Sequence, residues 1–296
     1  MTTLKRQEIP GPGYKRIASD QVEAAIRCLT RQAGQADAAS SAIQQAQSVL
    51  ALIEPDLPRL SVRRERTILA RLIVGLDEMA QPTRLVEELN RQYKKSPGDK
   101  ELAGAVKSLR KRWSAMDQSA AAMSSKAGTF NPEIYRLVAD MAELRGHLDS
   151  WPTAGVPSDV PPRGLRRTYT RARRLANEPV TMESLGELIN VLREVADQLA
   201  ILGKACPPML KAHRKLISRA ADALNAELLA DQLDRALRNE LGKGATKALP
   251  KLKPLAQRIA VIAGQDLAVA LAESPAALMK RMQTYWTAWR QEATKK

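Results

Sequence analysis

Five arginines, Arg163, Arg166, Arg167, Arg171 and Arg174, lie at offsets of three, four, eight and eleven residues from the first, with no aspartate or glutamate among them. On a helix this spacing gathers them on one face and leaves Leu165, Tyr169, Ala172 and Ala176 on another. Guanidinium groups along one ridge repel each other unless an anion sits between them, and their planar forks match phosphate oxygens. Such a ridge predicts noncovalent binding of a phosphate-bearing polyanion. A second basic stripe, Lys211, Arg214, Lys215 and Arg219, stands opposite the apolar line Leu210, Ile217, Ala221 and Leu224. A third carries Arg63, Arg66 and Arg71, with Arg59 and Arg64 nearby. The shorter run Leu109–Arg112 reads as an ordinary solvated face.

Bond-making chemistry finds no comparable support. His147 and His213 are the only histidines and lie in separate segments. No HExxH, paired Cys/His spacing or acidic calcium loop appears, so no metal site is expected. GxSxG, a GxGxxG after a strand and a complete P-loop are absent as well. Gly242-Lys243-Gly244 could offer backbone N–H groups to a phosphate, but reads first as a helix-ending loop. Glu87-Glu88 sits among basic neighbours as a solvated face, not a general acid/base pair. Cys28 and Cys206 are the only cysteines, too few for a disulfide framework, and read as small buried residues in a reducing compartment. A non-enzymatic protein without a cofactor is the expectation.

The elements that must carry these stripes are helices. Only 3% of the 296 residues are aromatic against 44% hydrophobic, so Leu, Ala, Val and Ile must fill the core. The Ala-, Leu-, Arg-, Lys- and Gln-rich text favours helix, and no segment alternates with period two. Residues 1–13 read as a loose entry ending in Pro10-Gly11-Pro12-Gly13, which should halt regular structure. Helices are expected from Tyr14 to Leu52 with a break near Gly34, then over Leu60–Met79, Thr83–Tyr93, Glu101–Met123 and Pro132–Leu148. Trp151–Pro162, with four prolines, is the clearest linker. Helices resume at Arg163–Ala176, Thr181–Leu202, Pro207 to about Leu241, Thr246–Ala272 and Pro275–Gln291. The chain thus divides into bundles over 14–150 and 163–291. Arg66–Leu89 lies without gaps on Arg214–Leu237 at an offset of 148 residues, pairing Arg66 with Arg214 and Arg71 with Arg219. The matched arginines, with prolines upstream of each segment, predict an all-α fold of two antiparallel helical bundles related by a pseudo-twofold.

The text in this order resembles the CHAD family, α-helical polyphosphate-binding domains built from two related bundles. Gly164–Arg174 looks like the family's basic opening helix of the second half, Leu210–Leu224 like a later basic helix, and Glu273–Trp289 like the closing helix. Gly13–Val22 resembles the usual start. The family's densest basic helices correspond here to Asp37–Ile53 and Gly186–Leu202. Asp, Ser and Gln fill the first, Ile189 and Asn190 replace basic residues in the second where only Arg193 remains, and Ala80-Gln81 stands in place of an Arg-Asp pair. The resemblance therefore carries function to Arg166, Arg167, Arg171, Arg174, Lys211, Arg214, Lys215 and Arg219, and not to the two altered helices.

A formal net charge of +15 concentrates polyanions near the surface whatever the fold. The resemblance selects inorganic polyphosphate as partner. Alternatives are a divergent scaffold for protein or granule contacts with weak polyanion binding, and nonspecific nucleic-acid binding. Met1–Arg16 has no apolar run after Lys5 and Arg6, and Ala260–Ala272, broken by Gln265 and Asp266, is too short for a bilayer. No membrane insertion is expected, and the expected compartment is the cytoplasm, on polyphosphate or storage granules.

Overall fold

The computed structural model describes residues 3–31, 35–57, 62–95, 132–179, 181–203, 205, 208–241 and 255–294, together with 104, 107, 108 and 111. The described residues form helices and no strand. The helices are α1 (Pro10–Arg31), α2 (Ala36–Ile53), α3 (Arg63–Lys95), α4 (Pro132–Asp149), α5 (Arg163–Asn177), α6 (Met182–Ile201), α7 (Pro208–Leu241), α8 (Leu255–Ile262) and α9 (Pro275–Thr294). After α8 the chain runs through a π turn, Ala263–Leu267, into the short helical turn Ala268–Ala270. The basic run Leu109–Arg112, apart from Lys111, lies outside the described residues, as do the loop Gly242–Gly244, Arg59 and Cys206. So do most of the expected helix Glu101–Met123 and the part of the expected helix Thr246–Ala272 that precedes Leu255.

Two proline-containing segments differ from expectation. At Pro10-Gly11-Pro12-Gly13, α1 begins where regular structure was expected to stop. A proline in the first turn loses no intrahelical bond, since the first four N–H groups have no helical partner. Gly11 and Gly13 also leave room for close neighbours, the Thr153 carbonyl and the Leu4 side chain. The entry is tied down further on: Leu4 is buried, and its N–H donates to the Ile201 carbonyl at 3.0 Å. The second case is α3, which continues through Pro82 instead of splitting there. Leu76, Ala80 and Leu85 are buried on both sides of the proline, and Arg84 Nη2 reaches back over it to Asp77 Oδ1 at 3.0 Å. Burial on both flanks offsets the one backbone hydrogen bond that Pro82 cannot make.

Among the described residues one hydrophobic core extends from Leu4 to Trp289. α1, α2, α3 and α4 pack on one another; α5, α6 and α7 do the same, with α9 against α5. Between these groups α2 lies against α5 and α6, and α3 against α7. The buried faces repeat along the chain. On α2, Ala39, Ile43, Ala46, Val49, Leu50 and Ile53 are buried, as are the residues 149 positions later, Leu188, Leu192, Val195, Gln198, Leu199 and Leu202. At and within α3, Val62, Leu69, Leu72, Leu76 and Leu85 are buried, as are Leu210, Ile217, Ala220, Leu224 and Leu233, each 148 positions later.

The segment between α4 and α5 is packed. Trp151 and Val156 are buried, Trp286 Nε1 on α9 donates to the Ser158 carbonyl at 3.0 Å, and Gln283 Nε2 donates to that of Asp159 at 3.1 Å. Gly164 brings the start of α5 directly onto the Ala51 and Leu52 carbonyls at the end of α2, where any side chain would collide with backbone.

Candidate functional site

α5 divides as its sequence requires. Leu165, Thr168, Tyr169, Ala172 and Leu175 are buried and Ala176 is half-buried, while Arg163, Arg166, Arg167, Arg171 and Arg174 are exposed. The ridge is less bare than its own sequence suggests, because carboxylates arrive from other elements and from its C-terminal flank. Arg163 Nε lies 3.2 Å from Asp56, Arg167 Nη1 3.4 Å from Glu54, and Arg171 Nη2 2.6 Å from Glu187 on α6. Arg174 Nε is 3.7 Å from Glu178, just past the helix end. Arg166 alone of the five has no carboxylate within ion-pair distance among the described residues.

The Arg63 stripe behaves alike. Arg66 Nη2 contacts Glu54 Oε2 at 2.6 Å. Arg71 grips Asp140 of α4 with two bonds, Nε to Oδ2 at 2.8 Å and Nη2 to Oδ1 at 2.6 Å. Arg63 has no ion pair among the described residues. On α7, Leu210, Ile217, Ala221 and Leu224 are buried as the opposite stripe requires. Arg219 Nε lies 3.6 Å from Asp266. Lys211 and Lys215 are exposed, Arg214 is half-buried, and none of the three has an ion pair among the described residues.

Tertiary packing brings part of the first and third stripes into one place. A groove of about 400 Å³ opens between α2, α3, α5 and α6, and Gln47, Glu54, Arg66, Arg167, Arg171 and Glu194 line it. Arg66 comes from one half of the chain, Arg167 and Arg171 from the other, and Glu54 Oε2 touches both Arg66 and Arg167. Deeper in, Glu194 Oε1 accepts from Thr168 Oγ1 at 2.9 Å and Gln198 Nε2 at 3.3 Å. Burial pushes the Glu194 carboxyl above the usual glutamate value, against the Thr168 hydrogen bond and the charges of Arg171, Arg167 and Arg66. The arrangement offers convergent guanidinium donors over a half-buried carboxylate.

The two helices poorest in basic residues, α2 and α6, meet at the centre of the molecule. Beside them a polar cavity of about 390 Å³ is lined by Ser40, Arg84, Arg193, Asp197, Asp222 and Asn225, among others. Burial pulls Arg84 down, but Asp37 and Asp77, which it hydrogen-bonds, hold it above the usual arginine value. Arg193 is lowered by burial, with the charge of Asp222 the largest opposing influence. Both sites mix charge signs, but aspartates outnumber arginines in this cavity, with Asp37, Asp197 and Asp222 against Arg84 and Arg193, whereas arginines outnumber carboxylates in the groove.

Sequence reading missed Glu54, Glu194 and Thr168. Glu54 sits in a proline-flanked turn and Glu194 in an ordinary amphipathic helix, so neither gives a local signal. No family model, curated protein or solved structure matches this chain.

Proposed function

We propose that this protein is a non-enzymatic, divergent CHAD-type binder of inorganic polyphosphate, with two related helical bundles facing each other across α2 and α6. The observation that carries the reading is the convergence of Arg66, Arg167 and Arg171 on one groove from opposite halves of the chain. A phosphate chain laid there would meet three arginine forks, and the exposed Arg63 and Arg166 lie on the same two helices. The buried positions that recur at 148 and 149 residues support a duplicated architecture.

Nucleic acid fits less well. Among the described residues Tyr14, Trp151, Tyr169, Trp286 and Trp289 are buried and Tyr285 is half-buried; Tyr135 is exposed but does not line the groove, so the groove itself offers bases no ring to stack on. A second reading, a scaffold with weak polyanion affinity, is favoured by the carboxylates that partner Arg163, Arg167, Arg171 and Arg174.

Titration of long-chain polyphosphate and of duplex DNA at matched salt decides among them. Submicromolar polyphosphate binding at low salt, tighter than DNA, is the expected result. Equal affinity for both would mean generic charge attraction, and binding to neither would leave the scaffold.

A further inference from the structure

Glu54 occupies the position that an external anion would take. It follows directly on α2 and begins a short 3-10 turn, Glu54–Asp56, which holds its carboxylate at the junction of the two halves. Its side chain is only 14% exposed, whereas the guanidinium groups it faces, Arg66 and Arg167, remain 52% and 64% exposed. A single oxygen, Oε2, accepts from Arg66 Nη2 at 2.6 Å and from Arg167 Nη1 at 3.4 Å. A phosphate oxygen bridging the same two forks would need that same point in space.

We propose that Glu54 is a built-in competitor which makes the groove select phosphate chains over single phosphates. This inference rests on the polyanion-binding reading given above. A carboxylate tethered beside its partners competes at an effective concentration at least on the order of millimolar. Orthophosphate carries little more charge than the carboxylate and has no tether, so it does not displace Glu54. A chain engages Arg171 at once as well as the Arg66–Arg167 pair and is long enough to run on past the groove, towards the exposed Arg63 and Arg166 of the same two helices, and its linked phosphates raise one another's local concentration. The chain therefore displaces Glu54 where a single phosphate does not. Asp56 supplies a comparison two residues away. It pairs with Arg163 at 3.2 Å and does not line the groove.

The test is calorimetric titration of wild type, Glu54→Gln and Asp56→Asn with orthophosphate, pyrophosphate and long-chain polyphosphate, after thermal melts show that each variant is folded. Glu54→Gln should bind pyrophosphate at least tenfold more tightly than wild type and gain less for the long chain, so that the preference for chains narrows. Asp56→Asn should leave that preference within about twofold of wild type. Wild type that binds the long chain, with Glu54→Gln unchanged or no different from Asp56→Asn, overturns this inference alone. If neither wild type nor Glu54→Gln binds any of the three probes, the polyanion reading falls with it. Should Glu54→Gln fail to fold, Glu54→Ser read in the same titration replaces it, with the same outcomes.

Discussion

Ser48 and Asp197 touch each other although they stand 149 residues apart, the spacing at which the buried faces of α2 and α6 repeat: Ser48 Oγ donates to Asp197 Oδ2 at 3.5 Å. A residue in contact with its own counterpart in the other half is what a local twofold relation between two packed helices would produce. The contact also sets the chemistry of Asp197. Burial raises its carboxyl to about 6, against the Ser48 hydrogen bond and the Arg193 and Arg214 charges, with Glu194 adding to the rise.

A carboxyl whose folded-state value exceeds its unfolded one binds more protons when folded. The contribution of Asp197 to stability is therefore fullest below about pH 4 and is lost as pH rises to about 6, by at most about 3 kcal/mol. Asp197→Asn should remove that loss, so the stability difference between variant and wild type should grow across this window in favour of the variant. Urea unfolding of both proteins at pH 4.5 and pH 7 measures it. An unchanged difference would mean that Asp197 stays ionised throughout.

Arg167 and Arg171 are exposed and belong to the groove, so reversing both to glutamate should affect binding far more than folding. Long-chain polyphosphate affinity should fall at least tenfold, while the melting temperature should shift little, since exposed ion pairs contribute roughly 0–1 kcal/mol each. Titration combined with circular dichroism separates the two effects. Intact affinity would place the anion on another face.

The number of cations engaged has its own signature. If Arg66, Arg167 and Arg171 alone hold the chain, the logarithm of affinity should fall against the logarithm of salt with a slope of about −2, and with Arg63 and Arg166 as well about −3.5, by analogy with single-stranded nucleic acid. A slope steeper than about −5 would bring in further cations such as Lys211, Arg214 and Lys215. Titrations at four salt concentrations give the value.

Gly164 carries a packing constraint. In Gly164→Ala the new methyl group would collide with the Ala51 and Leu52 carbonyls, both backbone atoms that cannot swing aside. A loss of about 1–3 kcal/mol is expected, read as a lower urea midpoint at unchanged slope. Wild-type stability in the variant would show that α2 and α5 separate easily.

Trp286 tests whether the proline-rich segment belongs to the fold. Trp286→Phe keeps an aromatic ring beside Trp289 but loses the bond to the Ser158 carbonyl, which should destabilise by about 1–2 kcal/mol. A neutral result in thermal unfolding would make the segment a mere tether.

Much of the local structure was legible because a helix shows its buried face every three to four residues. The split of α5 between Leu165, Tyr169 and Ala172 on one side and its arginines on the other follows from spacing alone. So does the burial of Leu210, Ile217, Ala221 and Leu224 beneath the α7 stripe. Breaks were harder to place. The first turn of α1 has no helical hydrogen bonds for Pro10 and Pro12 to lose, and burial on both sides of Pro82 outweighs the bond it lacks.

The sequence by itself determined an all-helical chain with an excess of positive charge and put that charge on a few amphipathic faces. Only tertiary structure decided which of those charges are already answered. Glu54 lies 113 residues from Arg167 along the chain, and Asp140 lies 69 from Arg71, yet each is in ion-pair contact. Periodicity fixes which way a side chain points from its own helix, whereas an ion pair between distant residues depends on how whole helices dock. For that reason the arginine ridge could be read from the sequence, and the carboxylate standing between Arg66 and Arg167 could not.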